Sequence, residues 1–235
     1  DATPEQVWEA IATGPGIDSW LMGRNQVEPR EGGAARMTLA GVTDESTVTA
    51  WEPPKRLAIQ GGQGEDGSFM AFEYLIQGRD DGTTVLRLVQ SGVLGDDWET
   101  EYDALGQGWD MYLHQLAQYL AHFRGRPVAP VLAMQPGAGD ADHVWSVLSG
   151  ALGLDHPAAE GDKVRLTPEG LAPIEGVVDY VSPVALGIRT DDGLYRFIRG
   201  FDGSVAVGHH LFSDMDPEDA ERAWQAWLGR VFDAS

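Results

Sequence analysis

The stretch TPEQVW at residues 3–8 has a counterpart 137 residues further along the chain, DADHVW at 140–145. In the first stretch, Thr3 and Gln6 have the spacing of a capping box and Pro4 suits the first helical position, so a helix begins here. Further matches follow in the same order. They pair EGGAARM (31–37) with EGDKVRL (160–166), VTAWEP (48–53) with VDYVSP (178–183), and Trp109 with Trp224. A kept order of motifs predicts a tandem duplication.

The spacing of the matches predicts that the second copy is shorter than the first. The offset falls from 137 residues at the first Trp pair to 115 at the last, as it would if the second copy had lost loop and strand residues. A chain of 235 residues has room for two domains of ordinary size. We predict a first domain at 1–125, a linker at 126–137, where Pro and Gly are frequent, and a shortened, divergent domain at 138–235.

The composition excludes several classes of function. Acidic residues outnumber basic ones by 37 to 16, which gives a net charge of −21 and argues against binding to nucleic acid or to an anionic membrane. There is no cysteine, so disulfides, zinc-thiolate sites and thiol nucleophiles are absent. No apolar run has the length of a membrane span and no signal segment opens the chain, so we expect a cytoplasmic protein.

Alternating apolar and polar residues predict a run of antiparallel strands in the first half, with a turn at Asp80-Asp81-Gly82 joining the last two. The predicted strands cover residues 36–39, 46–51, 57–59, 69–77 and 84–91.

A long helix is predicted to close the first half. Aromatic and leucine side chains recur at intervals of three and four between Trp98 and Phe123, which is typical of one wide apolar helix face. Acidic residues crowd its beginning at 96–103, where carboxylates complement the helix dipole. Gly106 and Gly108 predict a break or kink.

The order of short helices, antiparallel strands and a long closing helix resembles the START-like (SRPBCC) helix-grip fold. The motifs are similar to those of its bacterial branch that is named after the C-terminal domain of the activator of the ninety-kilodalton heat-shock-protein ATPase. These motifs are Val7-Trp8, Trp20, WEPPKRL (51–57), GTT (82–84), QSG (90–92) and Gly108-Trp109. Where many relatives have His-Ser-Gly, this chain has Gln90, which removes a titratable group.

This resemblance implies an α+β fold with two helix-grip domains, in each of which a curved antiparallel sheet is wrapped around a long C-terminal helix. It also implies an apolar cavity between sheet and helix, and relatives that bind or act on small hydrophobic molecules or serve as co-chaperone-like or regulatory modules. The fold alone does not choose among these functions.

We predict a ligand-binding cavity in the first domain, although core packing explains the same residues. Gln90 is in phase with Leu86 and Leu88, so it points inward and needs a hydrogen-bond partner, such as Tyr74 or a backbone group. The predicted lining residues are Trp20, Met37, Trp51, Met70, Phe72, Tyr74, Leu88, Gln90, Trp109, Leu113 and Leu116.

The sequence favours a binding protein over an enzyme. We find no catalytic residues, cofactor loop or metal site, since His209 and His210 are adjacent on a strand and point to opposite faces. The favoured function is binding of a small apolar molecule in the first domain, while the second packs solidly and supports it. One alternative is a protein-binding module whose acidic surface docks on a basic client or chaperone. Another is a cyclase or hydrolase that uses Gln90, Tyr74 or His114.

Overall fold

The computed structural model describes residues 2–39, 41–64, 67–93, 98–200 and 202–233, with side chains throughout except at 98–105. It divides into two compact units, Asp1–Arg126 and Pro127–Ser235. Each unit has a six-stranded antiparallel sheet and a long closing helix. The predicted α+β fold with two helix-grip domains is confirmed.

The first unit is a simple meander between helices. Its strands lie in the sheet in chain order, β1-β2-β3-β4-β5-β6. Its elements are α1 (Pro4–Ala12), α2 (Gly14–Ile17), β1 (Arg24–Val27), β2 (Ala34–Leu39), β3 (Val42–Glu52), β4 (Arg56–Gly61), β5 (Phe69–Gly78), β6 (Thr84–Val93) and α3 (Trp98–His122).

The second unit places its first strand beside its last. Its sheet has the order β7-β12-β11-β10-β9-β8. Its elements are β7 (Ala129–Gln135), α4 (Ala141–Leu152), β8 (Lys163–Leu166), β9 (Ile174–Val181), β10 (Ala185–Arg189), β11 (Gly193–Arg199), β12 (Val205–Leu211) and α5 (Pro217–Asp233).

The capping box at the start of α1 is present as predicted. The Thr3 hydroxyl accepts from the Gln6 amide at 3.3 Å, and the Gln6 side chain accepts from the Thr3 amide at 2.9 Å. The helix then buries Val7 and Ile11. Local hydrogen bonds and one apolar stripe therefore fix where this helix begins and which side faces the core.

The predicted linker at 126–137 is wrong, because most of it is strand β7. This strand pairs with β12 over seven residues, and its side chains at Ala129, Val131 and Ala133 are buried. Its Pro130 has no amide hydrogen, but β7 is an edge strand and an edge tolerates such a residue. The outer edge is covered by α5, where the Gln225 side chain bonds both the amide and the carbonyl of Met134.

The motif pairs lie at corresponding places in the two units. The first Trp of each pair lies in a short helix, α1 or α4, and the last lies in the closing helix, α3 or α5. The matches at 31–37 and 160–166 end in β2 and β8, and those at 48–53 and 178–183 end just after β3 and β9. The strands of the second sheet are mostly shorter, with seven residues in β11 and β12 against ten in β5 and β6. The duplication itself stays a prediction.

The break predicted near Gly106 and Gly108 is wrong, since α3 runs without interruption through both glycines. A glycine within a helix costs about 1 kcal/mol, which the packing of the buried side chains further along α3 outweighs. These include Met111, Leu116 and Tyr119. The acidic run predicted to complement the helix dipole lies outside the described side chains.

None of the helices in the described part of the chain is long and apolar enough to span a membrane.

Candidate ligand-binding site

The strand register places most of the predicted lining residues of the first unit on one face of its sheet. In an antiparallel pair, residues directly opposite each other point to the same side. Leu57 of β4 lies opposite Trp51 and Tyr74, and Tyr74 lies opposite Leu88. A bulge in β3 keeps Trp51 on this side together with Val48. The row therefore crosses four strands.

A second row lies beside the first. Phe72 of β5 is opposite Ile59 on one side and Gln90 on the other. Met70 lies two residues before Phe72 on β5, and alternate residues of a strand point to the same side. The register thus brings Met70, Phe72 and Gln90 to the face that also holds Tyr74.

Helix α3 contacts this same face, which we call the α3 face. The rings of Phe72 and Trp109 have centroids 5.3 Å apart and are inclined by 58°. Leu113 and Leu116 follow at helical spacing from Trp109, which places them one and two turns further along the same side of α3. Leu116 is buried, whereas Trp109 and Leu113 are half-buried.

The opposite face of the sheet carries charge. Arg56 donates to Glu73 at 2.6 Å and to Glu52 at 3.2 Å, and Arg87 also points to this side by strand alternation. The side chains that β4, β5 and β6 place on the α3 face are all uncharged. The sheet therefore separates a charged surface from an apolar one.

Two predicted lining residues lie apart from this group. Trp20 is 1% exposed, its indole N–H donates to the Ala10 carbonyl at 2.9 Å, and its own carbonyl accepts from the Gln115 side chain at 2.8 Å. It holds the turn after α2 against α1 and α3 and offers a ligand almost no surface. Met37 is half-buried on β2, three strands away from β5.

Trp51 also has a packing partner outside the α3 face. Its ring meets the ring of Trp8 edge-to-face, with 5.0 Å between centroids. Trp51 is thereby tied to α1 and forms the end of the row that lies nearest this helix.

The partner of Gln90 is neither Tyr74 nor a backbone group. Its Nε2 donates to the Met70 sulfur at 3.5 Å. The difference arises because Met70 lies diagonally across from Gln90 on the neighbouring strand, within reach of a long side chain. A thioether is a weak acceptor, so this bond uses little of the capacity of the amide.

Tyr74 is the buried polar group of the α3 face. It is 6% exposed, and burial raises the pKa of its phenol well above the ordinary value, so it stays protonated at neutral pH. Within the described ranges its hydroxyl makes no hydrogen bond.

Sequence reasoning passed over two neighbours of these residues, Leu57 and Ile59. Leu57 and Ile59 complete the two rows, and the alternation at 57–59 was the signal that could have placed them on this face. Tyr112 follows Trp109 by three residues on α3, and burial raises the pKa of its phenol. Its helical spacing had already identified it as part of the aromatic stripe of α3.

The interior of the second unit is closed around an aromatic cluster. His209 on β12 lies 4.5 Å from Trp224, 4.8 Å from Tyr195 and 5.4 Å from Phe197, measured between ring centroids. Its Nδ1 accepts from the Arg196 amide at 3.1 Å, so Nε2 carries the proton. Burial lowers the pKa of His209 well below its ordinary value, and the charges of His210 and Arg196 lower it further.

A buried ion pair lies beside this cluster. Arg196 meets Asp179 through two bonds of 2.7 and 3.0 Å, and both side chains are almost fully buried. Gly187 makes room for the guanidinium, because a Cβ there would lie 2.7 Å from Arg196 Nη1. Sequence reasoning considered His209 only as a metal ligand and missed both features, which depend on pairing between distant strands.

Among the residues that the structure describes, no group of three or more His, Asp or Glu side chains lies close enough to hold a metal ion.

Comparison with solved structures finds similar chains, some of which align with about half of this chain and one with nearly all of it. The protein MLL2253 from Mesorhizobium loti is 25% identical over 52% of this chain and 91% of its own, with a TM-score of 0.46. The Aha1 dimer from Colwellia psychrerythraea is 20% identical over 51% and 88%, with a TM-score of 0.42. DynU16, from the dynemicin biosynthetic locus, is 17% identical over 99% and 93%, with a TM-score of 0.44.

No curated protein matches the chain at a significant level. Residues 1–121, about half of the chain and nearly all of the first unit, match the family described as activator of Hsp90 ATPase homolog 1-like protein. The predicted resemblance is thereby confirmed, and the chain belongs to this family.

Proposed function

We propose that the first unit binds a small apolar molecule between the α3 face of its sheet and helix α3. One observation carries the proposal. Large apolar side chains meet here from β5, β6 and α3, yet Phe72, Leu88 and Trp109 are only half-buried. A core that closes on itself buries such side chains fully, whereas a ligand site leaves part of its apolar lining accessible.

The second unit supports the proposal by contrast. At the corresponding places between its sheet and α5, Phe197, Val207 and Leu228 are 0% exposed. They belong to one continuous cluster that also contains Trp224 and Trp227. Interiors packed in this way have little space for a guest, so we assign the second unit a supporting role.

Mass spectrometry of gently extracted protein, followed by thermal shifts with an apolar ligand library, tests this function. A ligand at about one hundred times its dissociation constant adds about 2.7 kcal/mol to stability, a shift that is readily measured. We expect Trp109→Ala to lose most of this shift. The matched control is Val89→Ala on β6, because Val89 is exposed on the opposite face of the sheet. A library without any hit, or a hit that stabilises Trp109→Ala as much as the parent, contradicts the proposal.

Membership of the family favours a second candidate, a protein-binding module. The net charge of −21 suits a basic client or chaperone surface. A pull-down from the native host at low and at raised salt tests it, since screening weakens contacts between exposed charges. A specific partner that is lost steadily as salt rises supports this candidate, and no partner at low salt argues against it.

A further inference from the structure

Tyr74 is a buried residue whose hydroxyl has no acceptor in the described part of the protein. Tyr74 lies between Leu57 and Leu88 in the row on the α3 face, the side on which Phe72 contacts Trp109. The hydroxyl of a buried tyrosine usually finds a hydrogen-bond partner. Burial also raises the pKa of Tyr74, which keeps its proton in place at neutral pH.

Gln90 places a second polar group near Tyr74. It lies opposite Phe72, hence two residues along the neighbouring strand from Leu88, the direct partner of Tyr74. Diagonal neighbours of this kind are about 7–8 Å apart and within reach of long side chains. The only bond of Gln90 within the described ranges is the weak one to the Met70 sulfur. Its amide therefore keeps both donor and acceptor capacity.

The charge distribution restricts what these two groups can bind. No charged side chain of β4, β5 or β6 lies on the α3 face, and Arg56, Glu73 and Arg87 all lie on the opposite one. An ionised ligand would lose its hydration here without gaining a counter-charge, which is costly. Burying a neutral acceptor oxygen, in contrast, costs little free energy if a hydrogen-bond donor in the site replaces its bond to water.

We infer that the ligand of the first unit is an uncharged apolar molecule with a carbonyl or similar acceptor oxygen, which accepts a hydrogen bond from the Tyr74 hydroxyl, with Gln90 as a second polar contact. The inference rests on the proposed function and adds the chemical class of the ligand to it. Tyr74 is thus a specificity residue, which selects oxygen-bearing molecules over hydrocarbons of the same shape.

Matched pairs of probes test this inference. Each pair consists of a hydrocarbon and its ketone. The pairs are indane with indanone, fluorene with fluorenone, and cyclododecane with cyclododecanone. Calorimetry on the full chain measures the affinities. In Tyr74→Phe we expect the affinity for the ketones to fall about fivefold or more, which is the worth of one hydrogen bond, while hydrocarbon affinity stays unchanged. Gln90→Leu should reduce ketone binding in the same selective way. Tyr195→Phe in the second unit, the control, should change neither.

Stability separates a ligand-binding hydroxyl from a structural one. Because the Tyr74 hydroxyl has no acceptor in the described part of the chain, ligand-free Tyr74→Phe should melt at the parent temperature or above it. A structural hydroxyl would instead lower the melting temperature when removed.

The outcomes distinguish this inference from the proposed function. Suppose that hydrocarbons and ketones bind the parent, and that Tyr74→Phe changes the two affinities equally or changes neither. This result overturns the inference and leaves the binding of apolar molecules intact. Tighter binding of fluorenone carboxylate than of fluorenone overturns the uncharged class. If no member of any pair binds the parent, the proposed function fails and the inference fails with it.

Discussion

His209 is a neutral base enclosed by aromatic rings, and it makes the stability of the second unit depend on pH. In the unfolded chain a histidine has a pKa of about 6.5, whereas burial holds the pKa of folded His209 well below this value. As the pH falls below 6.5, the unfolded state binds a proton at this histidine that the native state does not bind. Stability is therefore complete above pH 6.5 and is lost below it, by up to about 1.4 kcal/mol per pH unit, until the folded pKa is reached.

The replacement His209→Phe should remove this pH dependence. It also deprives the Arg196 amide of its acceptor, which costs roughly 1–3 kcal/mol, but that loss does not vary with pH. Guanidinium unfolding monitored by tryptophan fluorescence between pH 7.5 and 5 gives the comparison. The difference between parent and variant should shrink as the pH falls. His143→Gln, which alters an exposed histidine of α4, should keep the parent slope. If His209→Phe instead kept the dependence of stability on pH that the parent shows, His209 would already be charged in the native state.

At the scale of one element, the end of α4 depends on a glycine that no other residue replaces well. Gly153 has φ 74° and ψ 32°, the left-handed conformation, and its amide bonds back to the carbonyls at the end of the helix. A Cβ at this position would lie 2.7 Å from the Thr167 hydroxyl oxygen. We therefore expect Gly153→Ala to destabilise the second unit by about 1 kcal/mol or more.

Gly150 supplies a control in the same helix, three residues earlier. A Cβ there meets no atom within 4 Å, and alanine is favoured over glycine in a helix by about 1 kcal/mol. Gly150→Ala should therefore stabilise the unit that Gly153→Ala weakens, and the two unfolding free energies are measured with denaturant. Equal effects of the two replacements would contradict the assigned conformation of Gly153.

For the whole molecule, the net charge of −21 predicts that salt stabilises the folded state. Charges of one sign repel each other more strongly in a compact chain than in an unfolded one. Salt screens this repulsion, with a Debye length of about 10 Å at 0.1 M and about 3 Å at 1 M. The exposed ion pairs that salt also weakens contribute little.

We therefore expect the midpoint of each thermal unfolding transition to rise between about 20 mM and 0.5 M sodium chloride. A non-ionic osmolyte at matched osmolality separates screening from changes in water activity. Midpoints that stay level or fall in salt would mean that the negative charges are neutralised locally, for example by bound cations.

What the sequence determined by itself about this protein is local in origin. The capping box at Thr3 and Gln6 uses groups three residues apart, and the aromatic period of α3 depends only on helix geometry. Strand alternation likewise put Phe72 in phase with Met70 and Tyr74, and Gln90 in phase with Leu86 and Leu88, because side chains of a strand alternate whatever its partners are. The motif order then led to the two domains and to the family.

Tertiary structure alone decided which groups meet across long stretches of chain. The segment around Pro130 is a strand only because β12 pairs with it and Gln225 of α5 covers its edge. Gln90 bonds a sulfur rather than an oxygen because of the register between β5 and β6. His209 is neutral and buried because α5 brings Trp224 onto its ring. Such contacts depend on strand pairing and helix docking, which local propensity does not encode, since each is stabilised only once distant elements have come together.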